Sequence, residues 1–269
     1  MALHDTYARR TPFELAFPEP ERAERLAAEV AEEAQARGVD AHHPQMFATL
    51  GSVGAFLAEL RGPDSPPEAM QQYAALAFHG VHFARAGFPV YLLGTGVTRR
   101  LVAGAPGQPR EPSSIEPPSA AGYLQLPQHL FWVEAGEEEV PESVDGMFWT
   151  LTPDGMIYAL IVTGVRPDRP GLGVIPIPEA PLADAEAWLT AAVRATEEGE
   201  DFASTIPGAS LDELYGIRTA GEPLKLLARF FSYIAAAPQS LKAHDSRSDI
   251  GPEGLAPSVF PFKRVTLDG

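Results

Sequence analysis

The chain has 269 residues, with 36 Asp and Glu against 20 Lys and Arg and no cysteine. A net charge of -16 disfavours phosphate backbones and anionic membranes as partners, and the missing thiols exclude disulfides, thiolate zinc sites and a cysteine nucleophile. Hydrophobic residues, at 45%, suffice for a sizeable core, but no apolar run approaches the roughly 20 residues that span a bilayer.

The N-terminal stretch MALHDTYARRTPFELAF has no apolar run of signal-peptide length before its charges, so a cytoplasmic protein is expected. PEPERAERLAAEVAEEAQARG then reads as a helix. It opens on Pro and acidic residues and closes on Arg37 and Gly38, which suits the helix dipole. Leu26 and Val30 give it only a narrow apolar stripe, so it is placed on the surface. HHPQMFATLGSVGAFLAELRG reads as one helix starting at Pro44. Met46, Phe47, Leu50, Val53, Phe56, Leu57 and Leu60 form its buried face, and Gly62 stops it. A third helix opens on a Ser65–Glu68 capping box, carries Met70, Tyr73, Ala74, Ala77, Val81 and Ala84 as its core stripe, and ends at Gly87.

Val90 to Leu93 is a short predicted strand, and the segment after Gly96 reads equally as helix or strand. A Pro-rich joint, residues 104–120, separates a helical region, 1–103, from a β-rich one, 121–241. GYLQLPQHLFWVE carries apolar residues on both faces and Pro127 in its middle. It reads as two short strands or one bent edge strand. GMFWTLTPDGMIYALIV reads as a β-hairpin, turned by Pro153, Asp154 and Gly155. Gly171 to Pro178 adds a further strand. Two helices follow, PLADAEAWLTAAVRATEEG and EPLKLLARFFSYIAAAP, the second apolar nearly all round. Residues 242–269 form a Pro-rich tail in which VFPFKRV pairs late as a strand. The predicted fold is α+β: an N-terminal helical layer and an antiparallel sheet covered by two C-terminal helices.

No catalytic, cofactor-binding or metal-binding residue is expected. His79 and His82 are three apart and share one side of a helix, but a metal needs a third ligand and none stands within a turn. On a helical wheel His79 points away from the core stripe, and both histidines read as polar-face residues. GTGVTR lacks the third glycine of a dinucleotide fingerprint, and no GxxxxGK[ST], GxSxG or HExxH pattern exists. Arg99, Arg100 and Arg110 read as solvated surface. The residues that stand out are Tyr123, Phe131, Trp132, Phe148, Trp149 and Tyr158. Strands with two apolar faces argue that these aromatics are core, whereas a sheet margin broken at Pro127 argues for a surface that accepts an extended peptide.

ELRG at 59–62, then YLLGTGV, LPQHLFWVE, GMFWTL, IPIPEAPL and LLARFFSYIAAAPQSL occur in an order, collinear from Glu59 to Leu241, that resembles a type V-A anti-CRISPR family. That family suppresses production of the CRISPR nuclease by acting on its messenger during synthesis. The resemblance implies a small protein that engages a nascent polypeptide or its translating complex. The absence of catalytic motifs argues for a non-enzymatic protein without a cofactor, and the charge of -16 argues against direct nucleic-acid contact. Two other readings stand beside it. One is a hydrolase whose acid site is assembled from distant residues. The other is a homo-oligomer joined through the apolar helix at Leu224 to Ala235.

Overall fold

The computed structural model describes residues 8–62, 67–102, 116–127, 130–133, 142–163, 174–175, 211–244 and 257–267. The Ser65 cap, Arg110, the predicted helix over 181–199 and most of the Pro-rich joint lie outside the described residues. Helix α1 (Pro12–Ala16) opens on a capping box in which Thr11 and Glu14 satisfy each other's backbone amides. Helix α2 (Pro20–Arg37) ends where Gly38 takes a left-handed φ of 63°. One face of α2 buries Ala23, Leu26, Ala27, Val30 and Ala34, so the surface helix is covered along a broader stripe than Leu26 and Val30 alone.

The expected single helix from Pro44 is two: α3 (Pro44–Ala48) and α4 (Gly51–Arg61). The Thr49 hydroxyl donates to the Met46 carbonyl at 2.7 Å and closes α3. The break turns the first segment, so Phe47 is buried while Met46, expected in the core, is 49% exposed. The cap of α4 comes from another helix. The Glu33 carboxylate of α2 accepts the amides of Gly51 and Ser52, each at 2.8 Å. Those bonds, with the Arg37 guanidinium at 2.9 Å, hold its pKa down to about 2. Because the folded pKa lies below the unfolded value, this contribution is complete above about pH 4.5 and fades as pH falls toward 2. Glu33→Gln is therefore expected to lower the thermal midpoint at pH 7 and to have little effect at pH 2; an equal shift at both pH values would refute the cap.

Helix α5 (Pro67–Arg85) stops at Gly87, φ 78°. Phe88 follows with a positive φ of 57°, rare for an aromatic residue. Its ring stacks on Phe260 at 4.4 Å and meets Phe13 and Phe83 at 5.5 Å, contacts that offset the backbone cost. Strand β1 (Val90–Leu93) and helix α6 (Thr95–Val102) come next, which settles the segment after Gly96 as helix.

The remaining elements are strands β2 (Ala121–Gln125), β3 (Trp132–Val133), β4 (Glu142–Leu151), β5 (Ile157–Thr163) and β6 (Val174–Ile175), helix α7 (Leu211–Ala236), and strands β7 (Leu241–His244) and β8 (Phe262–Val265). Helix α7 runs back through Pro223, so it is longer than the apolar stretch that predicted it. The hairpin is as expected: β4 and β5 pair antiparallel around a turn in which Gly155 has φ 86° and the Thr152 amide donates to the Met156 carbonyl at 2.8 Å.

The sheet runs β6-β5-β4-β2-β1-β8-β7, with β3 paired to β4 beyond the end of β2. The α+β class is as expected, but the sheet is mixed rather than antiparallel. β1 pairs parallel with both β2 and β8. A parallel neighbour needs a long crossover, and the stretch between Leu93 and Ala121, which contains α6, is long enough to supply one. The supposed tail supplies β8, an interior strand, so the sheet draws on residues from both sides of the Pro-rich joint.

Alternation along the strands builds two cores. Val90, Leu92, Tyr123, Phe148, Tyr158 and Leu160 join residues of α1 to α5 in one. Tyr91, Leu93, Leu124, Met147, Trp149 and Ile161 join α6 and α7 in the other. The apolar stripe of α7, with Leu224, Leu227, Phe230 and Phe231 buried, is thus covered by the chain's own sheet.

Candidate functional site

The aromatics singled out in the sequence separate in the structure. Tyr123, Phe148 and Trp149 are fully buried, and Tyr158 is 8% exposed. Tyr123 and Phe148 lie 4.4 Å apart on the helical-layer face. Trp149 points to the other face, meets Phe231 edge-on at 5.2 Å, and donates its indole N–H to the Ser119 carbonyl at 3.0 Å. Gly122 leaves room for that indole, because a Cβ there would overlap it. Phe131 is half-buried beside the α7 core, and the Trp132 backbone pairs with Ser143; the Trp132 side chain lies outside the described residues. Tyr123, Phe148 and Trp149 therefore offer nothing to a partner. The expected margin is also misplaced, since β2 has β1 on one side and β4 on the other. Pro127 divides β2 from β3 without exposing an edge along β2.

Three features missed in the sequence take their place. The first is a buried polar network. Arg9 is 5% exposed, and its Nε and Nη2 donate to the Asp145 carboxylate at 2.9 and 2.6 Å. Arg9 also donates to the Leu126 carbonyl, while its backbone amide and carbonyl are both held by the Gln125 side chain at 2.8 and 3.1 Å. The Tyr123 hydroxyl donates to the second Asp145 oxygen. Burial first, and the adjacent carboxylate second, raise its pKa far above the ordinary phenol value. Asp145 stands at a β-bulge, where the β4–β5 register shifts between Val144 and Gly146. Glu14 accepts from Ser258 at 3.0 Å and from the Val259 amide at 2.6 Å, joining α1 to the approach to β8. Every polar group named has a partner, and the network fastens the N-terminal segment to the sheet. Gln125 and Asp145, polar residues amid apolar strand residues, were the sequence signal for it.

The second feature is a histidine cluster against the β4–β5 hairpin. His79 is 4% exposed and shares a hydrogen bond of 3.0 Å with the Thr150 hydroxyl. The expectation that it faces away from the core fails because α5 packs on two sides, against α2 and α4 and against the sheet. His82 lies tilted against His42 with ring centroids 5.7 Å apart, and both His79 and His82 flank the Phe78 ring. Burial is the leading cause that lowers both pKa values, to about 3 for His79 and about 4 for His82. Among the described residues no three His, Asp or Glu side chains converge as a metal site.

The third feature is the sheet margin at β7. Among the described residues β7 pairs only with β8, and Lys242, Ala243 and His244 are exposed. The Thr266 amide donates to the Ser240 carbonyl at 2.9 Å, which sets the alternation of the β7–β8 ladder. Lys242 and His244 then bond inward to β8, and the backbone N–H and C=O of Ala243 face outward. Lys242 stands opposite Arg264, and Lys263 opposite Ala243, which makes this margin basic in an acidic chain. Arg99 and Arg100 of α6 are exposed, as expected. Among the described residues no helix is long and apolar enough to cross a membrane. No protein-family model matches the chain, and no curated protein matches it.

Proposed function

We propose that the chain is a non-enzymatic polypeptide-binding protein that takes an extended, acidic segment onto the Leu241–His244 margin. The observation that carries this reading is the outward-facing backbone of Ala243 on a strand bearing Lys242 beside Lys263 and Arg264. An added strand gains main-chain hydrogen bonds from the edge, and alternate side chains set its specificity. The lysine also discourages a second copy of the same edge from pairing, since like charges would meet. A carboxylate-bearing strand meets no such barrier. The collinear resemblance to the anti-CRISPR family supplies the setting: a cytoplasmic protein engaging a nascent chain during synthesis of a nuclease.

Fluorescence anisotropy with two labelled eight-residue peptides, one alternating Val and Glu and one alternating Val and Lys, tests the margin. The Val-Glu peptide is expected to bind saturably and the Val-Lys peptide is not. Ala243→Pro removes an amide that β8 does not use, a change an edge strand tolerates. It should leave the thermal midpoint nearly unchanged and weaken peptide binding about tenfold or more, the worth of one to two main-chain hydrogen bonds. Equal binding by the proline variant, or no binding of the Val-Glu peptide, would overturn the reading.

A further inference from the structure

Strand β7 is short, but its ladder with β8 fixes what each of its side chains faces. Lys242 stands opposite Arg264, and His244 opposite Phe262. Residues directly opposite share a face of the sheet, as do residues two apart along a strand. Lys242, Arg264, His244 and Phe262 therefore lie on one face, the face on which Phe262 joins the core shared with α1 to α5. Ala243 and Lys263 lie on the other, and the Lys263 ammonium leans away from the margin, over the Tyr91 ring of β1 at 5.5 Å. Two features mark the first face. Lys242 and Arg264 are like charges in directly opposed positions, which destabilises a ladder. Among the described residues neither forms an ion pair. His244 is exposed, and its ring stacks on buried Phe262 with centroids 5.4 Å apart and planes 9° apart. Aromatic surface thus continues from the core to the outermost strand.

We infer, resting on the reading of this margin as a peptide-binding edge, that the segment it takes carries an aromatic residue followed two positions later by a carboxylate. The order comes from the ladder. Ala243 turns its N–H and C=O outward, so it makes the hydrogen-bonded pair with an antiparallel guest, the more stable of the two directions. Lys242 and His244 then meet the guest at non-hydrogen-bonded pairs, where Cα atoms approach to about 4.5 Å and side chains come closest. An antiparallel guest, read from its N-terminus, passes His244 first and Lys242 two residues later. An aromatic ring opposite His244 extends the Phe262–His244 stack by one member. A carboxylate opposite Lys242 offsets the repulsion between Lys242 and Arg264. The guest residue between them falls on the other face, over the small side chain of Ala243.

Fluorescence anisotropy of the full chain with four labelled peptides tests the inference. Thr-Val-Phe-Val-Glu-Val-Thr-Val carries the pair in the inferred order; the others exchange Phe with Glu, replace Phe with Ala, or replace Glu with Lys. The first is expected to bind about fivefold more tightly than the exchanged peptide, and about three- to tenfold more tightly than the Ala peptide, the worth of one aromatic contact. His244→Ala should erase the preference for Phe over Ala, and His244→Phe should keep it. Lys242→Glu, whose carboxylate can pair with Arg264, should reverse the preference between Glu and Lys. Both positions are exposed, so thermal midpoints should move little. Equal binding of the ordered and exchanged peptides, or an unchanged Phe preference in His244→Ala, would overturn the inference. If the Val-Glu peptide binds and none of these four does, the inference alone falls; if no peptide binds, the edge reading falls with it.

Discussion

Asp145→Ala is expected to destabilise the fold by about 3–5 kcal/mol, a large share of the roughly 5–15 kcal/mol typical of a natural protein. The reason is what the substitution leaves behind. Arg9 is 5% exposed and loses both of its charge-assisted bonds to the carboxylate. Among the described residues it keeps the Leu126 carbonyl as its remaining side-chain acceptor. The Tyr123 hydroxyl and one Gln125 amide hydrogen lose an acceptor in the same step. A cation left in the interior costs far more than the net gain from its pair. That distinction gives a control. The triple variant Arg9→Met, Asp145→Leu, Tyr123→Phe removes the charges and the orphaned hydroxyl together, and it should recover most of the loss. Urea unfolding of both proteins, with equal slopes, decides the matter. A loss below about 1 kcal/mol for the single variant would show that Arg9 finds water or another partner, and that the N-terminal segment is not fastened as described.

That network also marks the limit of what the sequence discloses. The β4–β5 hairpin was legible because its information is local: Pro153 to Gly155 specify the turn, and alternation specifies the strands. The stops of α2, α4 and α5 were legible for the same reason, each resting on a glycine that takes a positive φ. The pairing of Val90 with Phe262 was not legible, because nothing near either residue names a partner so distant along the chain. The aromatics expose a subtler gap. Apolar residues on both faces of GYLQL argued for cover on each, and here helices cover each; what alternation left open was which strand has a free margin. His79 was misread because a helical wheel assumes one packing surface, while α5 has two. The β7 margin was hidden by its own brevity. LKAH alternates over only four residues and has no β-branched residue, and only its place after the α7 stop makes it an edge.

Acidification from pH 6.5 to 4 is expected to lower the unfolding free energy, with His79 alone contributing about 3 kcal/mol by pH 4. The sign follows from the proton inventory. In the unfolded chain His79 and His82 titrate near 6.5; in the folded chain they resist protonation until about pH 3 and 4. Between those limits the unfolded state binds more protons, so falling pH favours it. Below about pH 3 both states are protonated at His79 and its slope vanishes. Among the described residues the groups facing these rings push the same way or are neutral. Thr150, Phe78 and Phe148 surround His79, while Arg85 and His42 approach His82 and add positive potential. The two rings also repel once charged, so their losses are coupled and add to less than the sum of two independent sites. One opposing effect needs separation: protonating carboxylates relieves the self-repulsion of a chain with net charge -16. Carboxylates remain ionised above about pH 5, so the window from 6.5 to 5 reports the histidines nearly alone. Urea midpoints measured every half unit should fall across that window in the native chain and fall only about half as steeply in His79→Phe, where His82 still titrates. A midpoint that holds level or rises from pH 6.5 to 5 in the native chain would mean that His79 takes up its proton while folded, with Thr150 no longer holding a neutral ring.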